Sequence, residues 1–198
     1  KQVEQVGRIL SPHYNYVFFE LLPEISDRLR AEPNNRKLLV EAVTLYHIYI
    51  EGALALAGQT RMLQTYKAMN IFPGFQHGFT AVARDESRHV LFGVKFLYDM
   101  VQDDNSYASV IVDFINRLLP SLYEFARPQP EFIPYMLQMG QDPNWTGKFY
   151  ASALRRKLRA MGIQANIPEP EPVPIPAVPE PESAPILDEA VAEPERHE

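Results

Sequence analysis

Asp85-Glu86-Ser87-Arg88-His89 stands in the middle of a proline-free stretch, Gly74 to Val101, that also carries Phe79, Val82, Val90, Phe92, Val94 and Phe96. The reading of this stretch decides the fold. Apolar residues recurring at three and four positions predict one long helix. On a helix, residues three apart project from nearly the same face, so Glu86 and His89 can hold one metal ion together, the Glu-x-x-His arrangement of carboxylate di-metal bundles. Arg88, turned about 100° from His89, reads as a structural ion-pairing group. A Glu-x-x-His pair alone is commonplace on a solvated face. Its apolar setting adds weight, because burying Glu and His costs several kcal/mol unless they are paired or metal-bound.

Upstream lies a second candidate ligand, Glu51, inside Tyr46-His47-Ile48-Tyr49-Ile50-Glu51-Gly52-Ala53-Leu54-Ala55-Leu56-Ala57-Gly58. One carboxylate in so apolar a segment needs a partner, and the small residues leave room for a neighbouring helix or a ligand. The plain alternative is a salt bridge to Arg61 or Arg88. Glu51 is 19 residues before Asn70 and Glu86 is 12 after Gly74. An antiparallel pair would therefore misplace them by seven residues, about 10 Å at 1.5 Å per residue. A break at Gly58-Gln59 is expected to resolve this, leaving Gln59 to Asn70 as a separate short helix.

The remaining chain reads as all-α. Hairpin dipeptides between alternating strands are missing, and helices fit Pro12 to Arg30, bent by Pro23, then Leu38 through Leu54, Tyr107 to Phe125 and Trp145 to Met161. Turn signals fall at Glu32-Pro33-Asn34-Asn35, Phe72-Pro73-Gly74, Asp103-Asp104-Asn105 and Arg127-Pro128-Gln129-Pro130. Nine of the 18 prolines lie in Ile167 to Glu198, with no aromatic residue. That composition predicts a disordered Pro/Glu-rich acidic tail over 167–198, behind a helical bundle over 1–166.

Charge follows the same division. The chain of 198 residues has 19 basic and 25 acidic side chains, net −6, but the tail alone holds nine acids and one arginine, so the body is close to neutral. No basic field is left for nucleic acid. The absence of cysteine excludes disulfides, thiolate metal sites and a cysteine nucleophile, so any metal must take oxygen and nitrogen ligands. No uninterrupted apolar run approaches the ~20 residues of a membrane span, and the N-terminus lacks a signal-peptide layout, so a cytoplasmic location is expected.

The Glu-x-x-His, the single glutamate thirty-five residues before it, and Tyr-His-x-Tyr-x-Glu-Gly-Ala-Leu-Ala at Tyr46 to Ala55 resemble the ligand-binding oxidases related to the ribonucleotide reductase small subunit. The resemblance covers roughly Val3 to Met161 and implies a ferritin-like helical bundle. It implies a mixed manganese–iron (Mn/Fe) centre that activates dioxygen for two-electron oxidation, a long-chain fatty acid bound beside the metals, and a homodimer. It further implies that Glu51, Glu86 and His89 are metal ligands and that Tyr46 forms an ether cross-link to a valine. The family has six protein ligands, and its second Glu-x-x-His should lie upstream. Yet Glu4, Glu20, Glu24, Glu32 and Glu41 are followed three places on by Gly7, Pro23, Asp27, Asn35 and Thr44. Only half of the site is found, and the first residue is Lys1, so the expectation is a chain lacking its N-terminal helices.

His47, four residues before Glu51, is a rival ligand, though a hydrogen-bonded core histidine is the simpler reading. Tyr46 lies about 140° around an α-helix from Glu51, outside a shared stripe. His13 and His77 have no second ligand at metal spacing, and His197 falls in the tail. Two other functions fit the same residues: a ribonucleotide reductase small subunit, disfavoured by a tail without tyrosine, and a non-enzymatic helical lipid-binding or interaction module with a buried salt-bridge network.

Overall fold

The computed structural model describes residues 11–175, and among them every regular element is helical. Helix α1, residues 12–31, opens at Ser11, whose side chain accepts from the Tyr14 N–H at 3.2 Å. It passes through a π-helical segment, Tyr16–Leu21, before α-helical bonding resumes at Leu22–Ala31. Pro23, which has no N–H to give, sits just after these wider i→i+5 turns, so the helix meets the proline with a change of hydrogen-bond register.

Helix α2, Arg36–Ala68, is the axis of the molecule. Asn35 caps it, its side chain accepting from the Leu38 N–H at 3.0 Å. The helix is α-helical over Arg36–Val43, π-helical over Thr44–Ala55, and α-helical again over Leu56–Ala68. The break expected at Gly58-Gln59 is absent. A lone glycine inside a helix costs only about 0.5–1 kcal/mol, which the burial along this segment exceeds. Counted from the helix ends at Ala68 and Pro73, the surplus falls from seven residues to four, 17 against 13, and the i→i+5 turns at Glu51–Ala55 hold slightly more residues over the same rise. Although α2 is long and apolar enough to cross a bilayer, more than half of its most apolar window is buried inside the protein, as for a core helix.

Helix α3, Pro73–Asp103, returns along α2 through a link in which Asn70 and Phe72 both take left-handed backbone angles. Helices α4 (Ser106–Ala126) and α6 (Trp145–Ala160) close the other side of α2, and a short α5 (Ile133–Gln138), led by a 3₁₀ turn at Pro130–Phe132, bridges them. The core is built from Leu45, Ile48 and Tyr49 of α2, Leu97 of α3, Ile111, Ile115 and Leu122 of α4, and Leu154 and Leu158 of α6, all buried. A polar tie crosses it: buried His13 of α1 bonds Ser121 Oγ of α4 through Nδ1 and the Tyr49 hydroxyl through Nε2, the latter at 3.0 Å. Burial holds its imidazole down to about 4.

The boundary expected at Ile167 moves towards the C-terminus. Residues 167–173 lie extended against α4 and α6: Ile167 is fully buried, its carbonyl accepts from Arg155 at 3.0 Å, and the Pro168 carbonyl accepts from the Tyr123 hydroxyl at 2.6 Å. Arg155 also pairs with Glu169, and the Val173 N–H donates to Asn144 Oδ1 at 2.6 Å. Composition alone missed this because prolines that cannot join a helix can still dock as an extended strap when their carbonyls find donors. The rest of the expected tail, 176–198, lies outside the described residues, as do residues 1–10.

Candidate metal centre

Glu51 projects from the π-helical part of α2, Glu86 and His89 from the middle of α3. One ligand atom from each lies within 4.8 Å of the others, the only such group of three among the described residues. His89 Nδ1 is 3.6 Å from Glu51 Oε1 and 3.7 Å from Glu86 Oε2. Two donors each about 2.0–2.2 Å from one cation are at most about 4.4 Å apart, so small side-chain rotations close this set around an ion. The alternative partners of Glu51 are engaged elsewhere. Arg88 pairs with Asp85 at 2.7 Å on the surface, and Arg61 lies over the Trp145 ring and donates to the Asp142 carbonyl.

Burial differs sharply among the three. Glu51 is 5% exposed, Glu86 is half-buried and His89 is exposed. The buried carboxylate is held by His47, whose Nδ1 meets Glu51 Oε2 at 2.7 Å, leaving Oε1 turned towards His89. His47 is therefore the partner that orients Glu51, as its simpler sequence reading expects, and it stands outside the three-donor group. Room for its ring comes from Gly93 of α3, where any Cβ would overlap His47 Cβ. Phe92 closes edge-on against the imidazole at 5.6 Å.

Tyr46 is brought closer than α-helical geometry allows. Five residues make one hydrogen-bonded turn of a π-helix, so Tyr46 and Glu51 stack along one side where an α-helix would part them by about 140°. Its hydroxyl is held above the usual tyrosine range by partial burial first, then by the Glu51 and Glu86 carboxylates. Wide turns of this kind are frequent at functional sites. His77 stays outside the cluster on α3, and His13 belongs to the core tie.

Two features of the centre escaped the sequence reading. Gly93 was one, although a glycine inside a helix signals a close approach. Lys157 was the other: it falls on the buried stripe of α6 formed by Tyr150, Leu154, Leu158 and Met161, and its Nζ donates to the Gly52 carbonyl at 2.6 Å. A cation at an apolar stripe position was the available signal. Beside Glu86, an open cleft of about 340 Å³ runs between α3 and α6, walled by Leu56, Val90, Leu91 and Val94 and edged by Arg156 and Lys157.

No protein-family model matches the chain. Solved structures do, and they are of the kind that the Tyr46–Ala55 and Glu86–His89 motifs resemble. An R2-like ligand-binding oxidase variant with an aerobically reconstituted Mn/Fe cofactor matches 78% of this chain and 53% of its own, at 26% identity and a TM-score of 0.63. The R2-like ligand-binding oxidase from Sulfolobus acidocaldarius matches 76% and 49%, at 25% identity and a TM-score of 0.63. A further R2-like ligand-binding oxidase, with an aerobically reconstituted metal cofactor after photoconversion, matches 78% and 55%, at 24% identity and a TM-score of 0.68. The chain spans about half the length of these proteins and has their ferritin-like fold.

Proposed function

We propose that the chain carries half of a dinuclear Mn/Fe centre of a ligand-binding oxidase, with Glu51, Glu86 and His89 as protein ligands and the complementary carboxylates and histidine supplied by a segment outside residues 1–198. The observation that carries this reading is the convergence of the three donors within 4.8 Å. The donor set fits the metals: two carboxylates and one imidazole without sulfur suit Mn and Fe. Charge points the same way, since among the described residues buried Glu51 pairs with two imidazoles and with no lysine or arginine, so a cation would supply what the site lacks.

Bound there, the metal pair would supply the redox chemistry that activates dioxygen for a two-electron oxidation. The protein's part is positioning. His47 fixes which Glu51 oxygen faces the metal, as outer partners of metal ligands do. Tyr46 presents its hydroxyl beside the carboxylates, where the ether cross-link to an upstream valine would form by loss of two hydrogens in the oxidation. The apolar cleft beside Glu86, edged by two basic side chains, suits a long-chain fatty acid with its carboxylate towards the metals. A cytoplasmic homodimer remains part of this proposal.

Anaerobic dialysis of the 198-residue chain against Co(II), a spectroscopic stand-in for Fe(II), tests it. The expected result is one ion per chain and not two, lost in Glu86→Ala and His89→Ala and kept in a surface control such as Glu124→Ala. Wild-type uptake by Glu86→Ala would make that glutamate structural and favour the non-enzymatic helical module. Two tightly held ions per chain would mean that donors within residues 1–198 have been misassigned.

A further inference from the structure

The wide turns of α2 end at Ala55, and a change from i→i+5 to i→i+4 bonding skips one carbonyl. The Leu56 N–H still reaches back to the Glu51 carbonyl while also meeting that of Ala53. Between these two lies the Gly52 carbonyl, at the point where the register changes. Lys157 fills the gap from α6, donating from Nζ at 2.6 Å.

A buried ammonium is a costly way to fill space, and a residue selected for packing alone at this stripe position would be apolar. Residue 52 is matched to it. A Cβ there would overlap Lys157 Cε and come within 2.8 Å of the His47 carbonyl oxygen, so only glycine admits the lysine stem. Desolvation, and secondarily Arg156, bring the Lys157 ammonium down to about 8, as befits a charge whose partner is a carbonyl dipole.

We infer that Lys157 is a positioning residue for the metal centre: by taking the carbonyl released where the wide turns end, it holds the register that sets Glu51 and Tyr46. This rests on the reading of Glu51 as a ligand. Without the ammonium, the skipped carbonyl would be buried and unpaired, and the cheapest repair is closure of the wide turn into α-helix. Closure by one residue rotates the upstream part by about 100°, which would carry Glu51 away from Glu86 and His89.

Lys157→Met in the 198-residue chain removes the charge and keeps the stem. Amide hydrogen exchange at Leu56 and Ala57 reads the turn, and anaerobic Co(II) titration followed by visible absorption reads the site. Exchange at those two amides should differ from wild type by about tenfold relative to Arg61 and Met62, as the shared bond of the Leu56 N–H is replaced by an i→i+4 bond, and Co(II) affinity should fall about tenfold, the range found when an outer partner of a ligand is lost. Lys157→Arg, which keeps a donor, should recover part of both. Leu154→Ala, a buried truncation on the same helix, should lower the thermal midpoint with neither selective exchange nor loss of affinity. Wild-type exchange at Leu56 and Ala57 in Lys157→Met overturns the inference, as does an affinity loss in Leu154→Ala equal to that in Lys157→Met. A wild-type chain that takes up no Co(II) overturns the metal reading itself, and the exchange measurement still separates a lysine that holds the turn from one that does not.

Discussion

The two flanks of α2 are finished to different degrees. Towards α4 and α6 the helix is sealed by buried leucines and isoleucines, by the His13–Ser121–Tyr49 tie, and by the strap over residues 167–173. Along α3, by contrast, Phe75 and Val82 are exposed on the side that carries His89, itself open to water, and Leu91 and Phe92 are exposed further around the helix, Leu91 to 65%. The difference teaches how the candidate centre is assembled. Its candidate donor on α2, Glu51, is preset by His47 in a dry interior, whereas of its candidate donors on α3 Glu86 is half-buried and His89 is open to water. Exposed large apolar side chains beside a candidate ligand, as Phe75 and Val82 are on the side of His89, mark a surface that contact would cover.

The sealed flank should give the largest losses. Ending the chain at Asn166 removes Ile167 from a fully buried site together with the carbonyls that satisfy Arg155 and Tyr123. Burial of one isoleucine is worth about 1.5–3 kcal/mol and each hydrogen bond about 1. The expected loss is about 4 kcal/mol by urea denaturation, while ending the chain at Ile175 should change little. Equal stability of the two truncations would show that the strap contributes nothing to the seal.

Next comes a pair of glycines on α3 that compares the flanks directly. At Gly93 a side chain would meet His47, whereas at Gly78 there is nothing within 4 Å. Gly93→Leu should cost about 3 kcal/mol by forcing the helices apart, and it should also free Glu51 from His47. Gly78→Ala should stabilise by about 0.5–1 kcal/mol through helix propensity. Thermal melts that rank the two alike would contradict the contact between α2 and α3 on which the site depends.

The His13 tie gives a smaller, pH-dependent effect. Its folded-state pKa, about 4, lies below the usual 6.5, so the unfolded chain binds the proton more readily over that window. Stability contributed by neutral His13 is full above pH 6.5 and is lost as pH falls towards 4, by at most about 3 kcal/mol. A chain carrying His13→Gln, measured over the same window, should lose less on acidification than wild type.

Much of this was legible in the sequence because helix periodicity and ligand spacing are local. Glu86 and His89 share a face by arithmetic, α3 and α4 end within a few residues of their turn signals, and α6 ends one residue short of the expected Met161. What was not legible depends on hydrogen-bond register and on partners far along the chain. Nothing in Tyr46 to Gly58 announces i→i+5 bonding, so α-helical arithmetic puts Tyr46 off the Glu51 stripe and asks for a break at Gly58-Gln59. The lysine that meets Gly52 comes from 105 residues away. The strap at 167–173 is compositionally like the residues that follow it, and only the donors of Arg155 and Tyr123 and the acceptor of Asn144 set it apart.

The smallest expected effect belongs to the open flank. Val82→Ser and Leu91→Ser replace side chains that are 50% and 65% exposed, so each should shift stability by no more than about 0.5 kcal/mol. Their consequence should appear in self-association instead. Uncovered apolar side chains on either side of α3 favour contact with similar surfaces, and a serine in place of each residue removes apolar area that such contact would bury. Sedimentation of the 198-residue chain should therefore show less concentration-dependent association in the double variant, at unchanged midpoint of denaturation. If the double variant instead loses several kcal/mol, these residues belong to a core that the 198-residue chain closes by itself. The contrast between the two flanks of α2, and with it the proposal that a further segment covers the α3 ligands, would then fail.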